Sequence, residues 1–397
     1  MAGPRSDAPT TARGATSQDA PARRWAASGL AALSGPAPGG RLGPPARLVD
    51  GVLARGAGIE RAAGCWDHPL EVDWLALTTE RARLQGLRAG GRTSCGGATR
   101  LLECADGWVA VSLARPSDLD LLPAWLAVAG DPTTWPPDHP VDDDTWCALA
   151  ERVRRLAGGA LTGAAGLVGL AVGGLGERTA DTDGGTTLHD MGAAAHAGPP
   201  GRVLDLGTLW AAPLCASLLG RCGGEVLKVT SRHRPDGAAR GNAAFENSLN
   251  GRKARLELDL GTRAGRAELE RLVRNADVVV ESARPRGLEQ MGIVAREVMA
   301  RGDGPRAWVS ITGHGRASSR VAFGDDAAVS GGLVVADSAG PWFCGDALAD
   351  PLSGIAATAA AVGCLSSGRR ALVEVSMSAV AAAHAGPTRP VGVGVGR

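Results

Sequence analysis

A few short stretches of this chain hold side chains whose type and setting can do chemistry. Asp350 opens Asp-Pro-Leu-Ser-Gly ahead of an Ala-rich apolar run, a carboxylate placed where a helix begins. An aspartate before proline is also the pattern of an N-cap with proline at N1, which needs no reaction at all. Lys228 and Lys253 are the only lysines, set against forty arginines. Ammonium and guanidinium differ in size, hydration and donor geometry, so a lysine kept in that company is a candidate for a task that arginine does poorly. His314 lies in a Gly-His-Gly turn, open to acid–base work or to a plain solvated role. The eight cysteines are scattered, with no Cys-x-x-Cys pair and no histidine at finger-like spacing. That distribution fits reduced thiols and offers no zinc site or disulfide framework.

The elements that must position these groups are bounded first by composition. A chain of 397 residues has length for two domains. Forty-two basic against forty-one acidic residues give a net charge of +1, with no surplus to neutralise a nucleic acid or an anionic lipid surface. Residues 156–176 carry no charge, but eight of them are glycine, so they read as a buried segment and not as a membrane span. Residues 1–24 mix Ala, Pro, Thr and Arg with Asp7 and Asp19 and hold no apolar h-region; they read as a disordered extension without a leader, on a cytoplasmic protein.

Along the chain, Asp73–Ala89 shows helical spacing, with Thr78 and Thr79 on the outer face. Residues 99–113 read as a β-hairpin about Asp106-Gly107, and Asp118–Val128 as a helix. Residues 181–201 combine Gly, Asp, Thr and Pro without periodicity and form the linker between a small domain, 25–180, and a large one, 202–385. In the large domain short apolar strands (202–206, 225–230, 254–260, 276–281, 307–312 and 371–375) alternate with helical pieces such as 213–221, 262–275 and 354–365. The expected fold is therefore α/β: a Rossmann-like parallel sheet covered by helices on both faces, with a smaller α+β domain N-terminal to it. Residues 386–397 read as a flexible tail.

The first strand runs into Asp-Leu-Gly-Thr-Leu-Trp-Ala-Ala-Pro (205–213), which lacks the Gly-x-Gly-x-x-Gly of a dinucleotide site. What stands in its place, VLDLGTLWAAPLCASLLGRCGGEVLKV, resembles the opening of the CaiB/BaiF, or family III, CoA-transferases. The likeness continues in order through DGAARG, NGRKARLELDL, ADVVVESARPRGLEQMGI, WVSITGHG, SGG and ADPLSGIAA followed by ALVEVSM, covering about Arg202–Val380. It implies an acyl-CoA:carboxylate CoA-transferase in which Asp350 is the nucleophile, passing through an aspartyl mixed anhydride and an aspartyl-CoA thioester. It further implies that Trp210 and Ala211 offer backbone to CoA, that Arg240 and Lys253 meet its phosphates, that His314 lies in the CoA site, and that Gly331 and Gly332 supply N–H donors to the oxyanions. Coenzyme A thioester is then a substrate and no cofactor is held permanently. The partners are an acyl-CoA and a carboxylic acid, without nucleic acid or membrane, on a homodimer.

Some residues depart from the family pattern. Gln290 stands where many members carry arginine, and His314 where the turn often holds an aromatic residue. Phe323-Gly324-Asp325-Asp326 replaces the Gly-His-Asp of the α-methylacyl-CoA racemases, an alternative chemistry on the same fold; a non-catalytic CoA-binding relative is a third reading. The segment DGWVAVSLARPSDLDLLPAWL resembles the start of the family's small domain but precedes the sheet, which implies a rearranged or fused chain. Asp50 is the counterpart of Asp350 in the remnant of a first copy, without its spacing to glycine and without its catalytic role.

Overall fold

A computed structural model describes residues 19–40, 42–135, 141–233, 236–282, 285–302 and 304–386. The expectations for residues 1–18 and 387–397 lie outside them. A helix at Asp19–Ala27 already begins inside the expected extension, because Trp25 is buried and donates its indole N–H to the Leu42 carbonyl at 3.1 Å.

The N-terminal segment continues through helices at Leu48–Cys65, Trp74–Leu77 and Glu80–Gln85. The single helix expected over 73–89 is broken at Thr78-Thr79, whose hydroxyls bond back to the carbonyls of Leu75 at 2.6 Å and Ala76 at 3.1 Å. Both threonines are buried, not on the outer face.

The small unit follows. Strands β1 (Thr99–Cys104) and β2 (Gly107–Ser112) pair antiparallel in the register Cys104 with Gly107, so the turn is Ala105-Asp106, one residue before the expected position. Helices at Leu122–Ala129, Asp143–Val153 and Gly158–Val168 cover the sheet, and β3 (Ala171–Gly174) adds to β2. Trp125, Trp146, Leu149 and Leu161 fill the core between them. The uncharged stretch 156–176 thus folds as one short helix and a strand, and no described helix is long and apolar enough to cross a membrane.

The large sheet has seven strands: β4 (Thr186–Ala193), β5 (Arg202–Leu206), β6 (Glu225–Ser231), β7 (Ala254–Leu258), β8 (Val278–Glu281), β9 (Ala307–Thr312) and, after a hairpin of β10 (Val334–Asp337) and β11 (Gly340–Phe343), β12 (Arg369–Ser376). The order is β4-β12-β9-β8-β5-β6-β7, parallel throughout except for β4, which runs antiparallel along β12. β4 therefore replaces the middle eight residues of the expected linker. Its polar Thr-Thr-Leu-His-Asp sequence suits an edge strand with water on one side, which hides it from a search for apolar runs.

Counted along the chain, the six parallel strands lie in the doubly wound order 3-2-1-4-5-6, with the winding reversing between β5 and β8. In such sheets ligands bind beyond the carboxyl ends of the strands at the reversal. One face, with Val203, Val280 and Val373, packs against helices Ala211–Arg221 and Ala349–Ser367; the other, with Leu204, Val279 and Trp308, packs against helix Arg263–Arg274. The first core also takes in Trp25, Leu48, Val52, Ile59 and Trp74. Residues 25–98 are thus part of the large unit by packing, whereas the expected division placed them with the small one. The reason is the apolar face of helix Leu48–Cys65, which only the large core is wide enough to bury.

Candidate active site

The turn that leaves β5 at the reversal is held from below by four buried charged side chains. Lys253 donates to the Asp205 carboxylate at 2.7 Å, to the Pro213 carbonyl at 2.8 Å and to Asn250 Oδ1 at 2.9 Å. Lys228 donates to the Gly207 carbonyl at 2.9 Å and lies 3.2 Å from Asp236. Asp205 in turn accepts from the Gly207 N–H at 2.8 Å, Asp236 from the Leu209 N–H at 2.9 Å, and Ser282 Oγ from the Thr208 N–H at 3.0 Å. Leu209 is left at φ 64 with its side chain outward, a left-handed conformation unusual for a leucine.

Ala211 begins the helix that follows, and its backbone N–H acts on the Asp350 carboxylate, favouring the ionised form. Asp350 lies in the first turn of helix Ala349–Ser367, but it is not the cap. The N-cap is Leu348, and the Asp350 N–H bonds the Ala347 carbonyl at 2.9 Å. The left-handed Ala347 (φ 44) starts the helix early, which frees the Asp350 side chain to reach across to Ala211. Two glycines make room. A Cβ on Gly324 would collide with Asp350 Oδ2, and one on Gly354 would stand 2.8 Å from the Ala211 carbonyl, so the two helices meet at backbone distance.

Charge around Asp350 comes from three segments. Arg81 donates Nε to Asp346 Oδ2 at 2.7 Å and Nη2 to its other oxygen, and its guanidinium lies 5.4 Å from the Trp210 ring centre. Asp346 is fully buried. Asp325 accepts from the Ala347 N–H at 2.9 Å. Burial pushes Asp350 up to about 7; Asp325 and Asp346 add to the rise, while Arg81 and the Ala211 N–H hold it back. Burial and Asp346 likewise push Asp325 up to about 6. For Arg81 the effect of burial is outweighed by Asp346, Asp325 and Asp350, and its guanidinium is held above its ordinary range. A partly exposed carboxylate aimed at a helix N-terminus, with one fixed cation near it, is suited to nucleophilic work near neutral pH.

Only some of the expected site residues meet here. Asp350 and Ala211 are neighbours, and Trp210, next to Ala211, is buried and edge-on to Phe245 at 5.1 Å. The N–H groups of Gly207, Thr208 and Leu209 serve Asp205, Ser282 and Asp236, so that part of the turn is not open to a phosphate. Lys253 is likewise turned inward with every donor occupied, a correction to its expected phosphate contact. Gly331 and Gly332 donate to the carbonyls of Ala327 at 3.1 Å and Val329 at 2.8 Å, closing the end of helix Gly324–Ser330, so they are not oxyanion donors. His314 is a part-buried turn residue whose Nε2 has no partner among the described residues. Burial and Arg320 push it down to about 4. Arg240 ends the short turn Gly237–Arg240, and its side chain lies outside the described residues. Gln290 and Asp50 are exposed.

Arg81, Asp325 and Asp346 were not singled out as site residues by sequence reasoning. Asp346 lies four residues before Asp350, and Asp325 stands in the stretch that departs from the racemase pattern, but only the fold brings Arg81 to them.

Residues 201–390 match the sequence model described as CoA-transferase family III. That match spans just under half of the chain. A succinyl-CoA–D-citramalate CoA-transferase from Chloroflexus aurantiacus is 32% identical over 146 residues, 33% of this chain and 35% of that protein. A formyl-CoA:oxalate CoA-transferase from Escherichia coli is 30% identical over 98 residues, 23% of this chain and 24% of that protein. The chain thus aligns with about a third or less of the length of these relatives. Among solved structures, a CaiB/BaiF family protein from Brucella suis matches with 24% identity and a TM-score of 0.43 over 48% of this chain and 55% of its own. A hypothetical protein from Mycobacterium tuberculosis matches with 27% identity and a TM-score of 0.41 over 48% and 57%.

Proposed function

We propose that the protein moves coenzyme A between carboxylic acids, with Asp350 as the group that takes the acyl moiety. The observation that carries this is the placement of the Asp350 carboxylate, within the stretch that matches family III, against the N–H that opens the helix beyond the sheet's reversal. In the first step a carboxylate oxygen of Asp350 attacks the donor thioester, the C–S bond breaks, and a mixed anhydride and CoA thiolate form. Thiolate then attacks the aspartyl carbonyl, giving an aspartyl-CoA thioester and releasing the donor acid. The acceptor carboxylate attacks that thioester to form a second anhydride, and thiolate returns to its acyl carbon, leaving the new acyl-CoA and free Asp350. No net proton is consumed, which suits a site whose nearby ionisable groups are carboxylates and one arginine. The N–H of Ala211 stabilises charge that moves on and off the Asp350 oxygens.

In this reading CoA thioester is a substrate and not a resident cofactor, the second substrate is a carboxylic acid, and the working assembly is a homodimer. The racemase alternative needs an acid–base pair flanking one carbon, and the charges that act on His314 are Arg320, Glu177 and Arg178, whereas those that act on Asp350 are Arg81, Asp325 and Asp346. Incubation with formyl-, acetyl- or succinyl-CoA followed by hydroxylamine tests the proposal. A hydroxamate at Asp350 in the peptide map is the expected result. Absence of an adduct with all three, alongside exchange of an α-hydrogen, would overturn it.

A further inference from the structure

We propose that Arg81 is a positioning residue for Asp350: gripped by Asp346, it is the cation on which the part-buried carboxylate depends, so a segment outside the family-matched region completes the site. This rests on the reading of Asp350 as the reacting group. Residues 201–390 supply Asp325, Asp346 and Asp350, three acids gathered by one helix start and the loop before it. Left to themselves they would repel, and the least costly state would hold protons on more than one of them. The positive charge comes from helix Glu80–Gln85.

The geometry fixes where that charge sits. Two donors of Arg81 engage the two oxygens of Asp346, which is fully buried, and the ring of Trp210 lies beneath the guanidinium. A forked cation held at both prongs keeps a fixed distance from its surroundings. Other groups that face this cluster are the Ser94 hydroxyl, which acts on Asp325, the Cys95 thiol, whose Sγ is 3.4 Å from the Gly345 carbonyl, and the Ala211 N–H. None of them carries a positive charge, and Arg81 is the cation that acts most strongly on Asp350. Trp210, with its N–H unpartnered among the described residues, adds none.

The cluster makes opposite demands on two substitutions, which separates positioning from mere support of the fold. Arg81→Gln removes the cation and raises the pH at which Asp350 ionises. Asp346→Asn removes an anion, keeps one of the two oxygens that hold Arg81, and lowers that pH. The ionisation is read without any substrate, from the carboxylate infrared band that disappears on Asp350→Asn, followed as a function of pH in each background. Displacements of opposite sign in the two variants are expected, with Arg81→Lys near the parent protein. Displacements of the same sign, or none in either, overturn the proposal. Should Arg81→Gln fail to fold, Asp346→Asn and Arg81→Lys still decide: a downward shift in the first with little change in the second is required. Opposite shifts in a protein that forms no adduct with acyl-CoA would instead leave the positioning role standing and remove the transferase reading.

Discussion

Asp350 Oδ2 occupies the space that a Cβ at position 324 would need, so the carboxylate can hold its place only because that residue is glycine. The Ala347 carbonyl crowds the same point from the other side. Gly324→Ala must displace one of them. A shift of about 1 Å in a reacting group costs on the order of 100-fold in rate, and the crowding costs about 1–3 kcal/mol in stability. Initial rates of CoA transfer and a thermal melt measure both; parental rates in Gly324→Ala would remove this account of the site.

Asp350→Asn is expected to abolish the hydroxylamine-trapped adduct while leaving the fold intact. Helix Ala349–Ser367 is started by Leu348 and Ala347, so the substitution removes no cap, and an amide oxygen can still accept from Ala211. Melting temperature should fall by no more than a few degrees. A large loss of stability would mean that the carboxylate is structural.

Lys253 offers a contrast. Lys253→Met leaves Asp205 buried with one fewer cation, and breaking a buried pair costs about 3–5 kcal/mol. Urea unfolding should show that loss. If folded variant protein instead kept its stability and merely bound CoA less tightly, Lys253 would be a ligand contact after all.

Stability should depend on pH through Asp326. Its Oδ1 accepts from the Ser112 hydroxyl at 2.8 Å and the Phe323 N–H at 2.9 Å, and burial pushes it up to about 7. A carboxyl raised above its unfolded value makes the native state the better proton binder, so its contribution is complete below about pH 4 and is lost as pH rises to about 7. Asp326→Asn keeps the Oδ1 acceptor and loses this titration. Melting curves of the two proteins should lie close at acid pH and separate through neutrality, with the variant the more stable. Parallel curves would contradict the assignment.

Much of the large sheet was legible because its strands are apolar runs and its helices carry their own period. Val278–Glu281, buried throughout, announces itself as a central strand. β4 did not, since an edge strand with Leu188 exposed has the composition of a loop. Of the site, Asp350 was found through its setting in a recurring order of motifs. Its relation to Ala211 was not, because an N-cap and a first-turn residue share the Asp-Pro pattern and are separated only by the backbone of Ala347. Lys253 reads in the sequence as a candidate phosphate contact, whereas the structure gives it a buried space with three oxygen acceptors. Arg81 was one arginine among forty, and nothing local distinguishes a cation whose partners lie more than two hundred residues away.

The ammonium–carboxylate quartet under the β5 turn has a consequence for how such chains can diverge. Asp205 shares its charge between Lys253 at 2.7 Å and Lys228 at 3.8 Å, and Asp236 answers Lys228. No one of the four can drift alone without stranding a buried charge. Positions 205, 228, 236 and 253 should therefore vary together among descendants of this fold or not vary, a linked set whose covariation follows from electroneutrality and not from contact with any substrate.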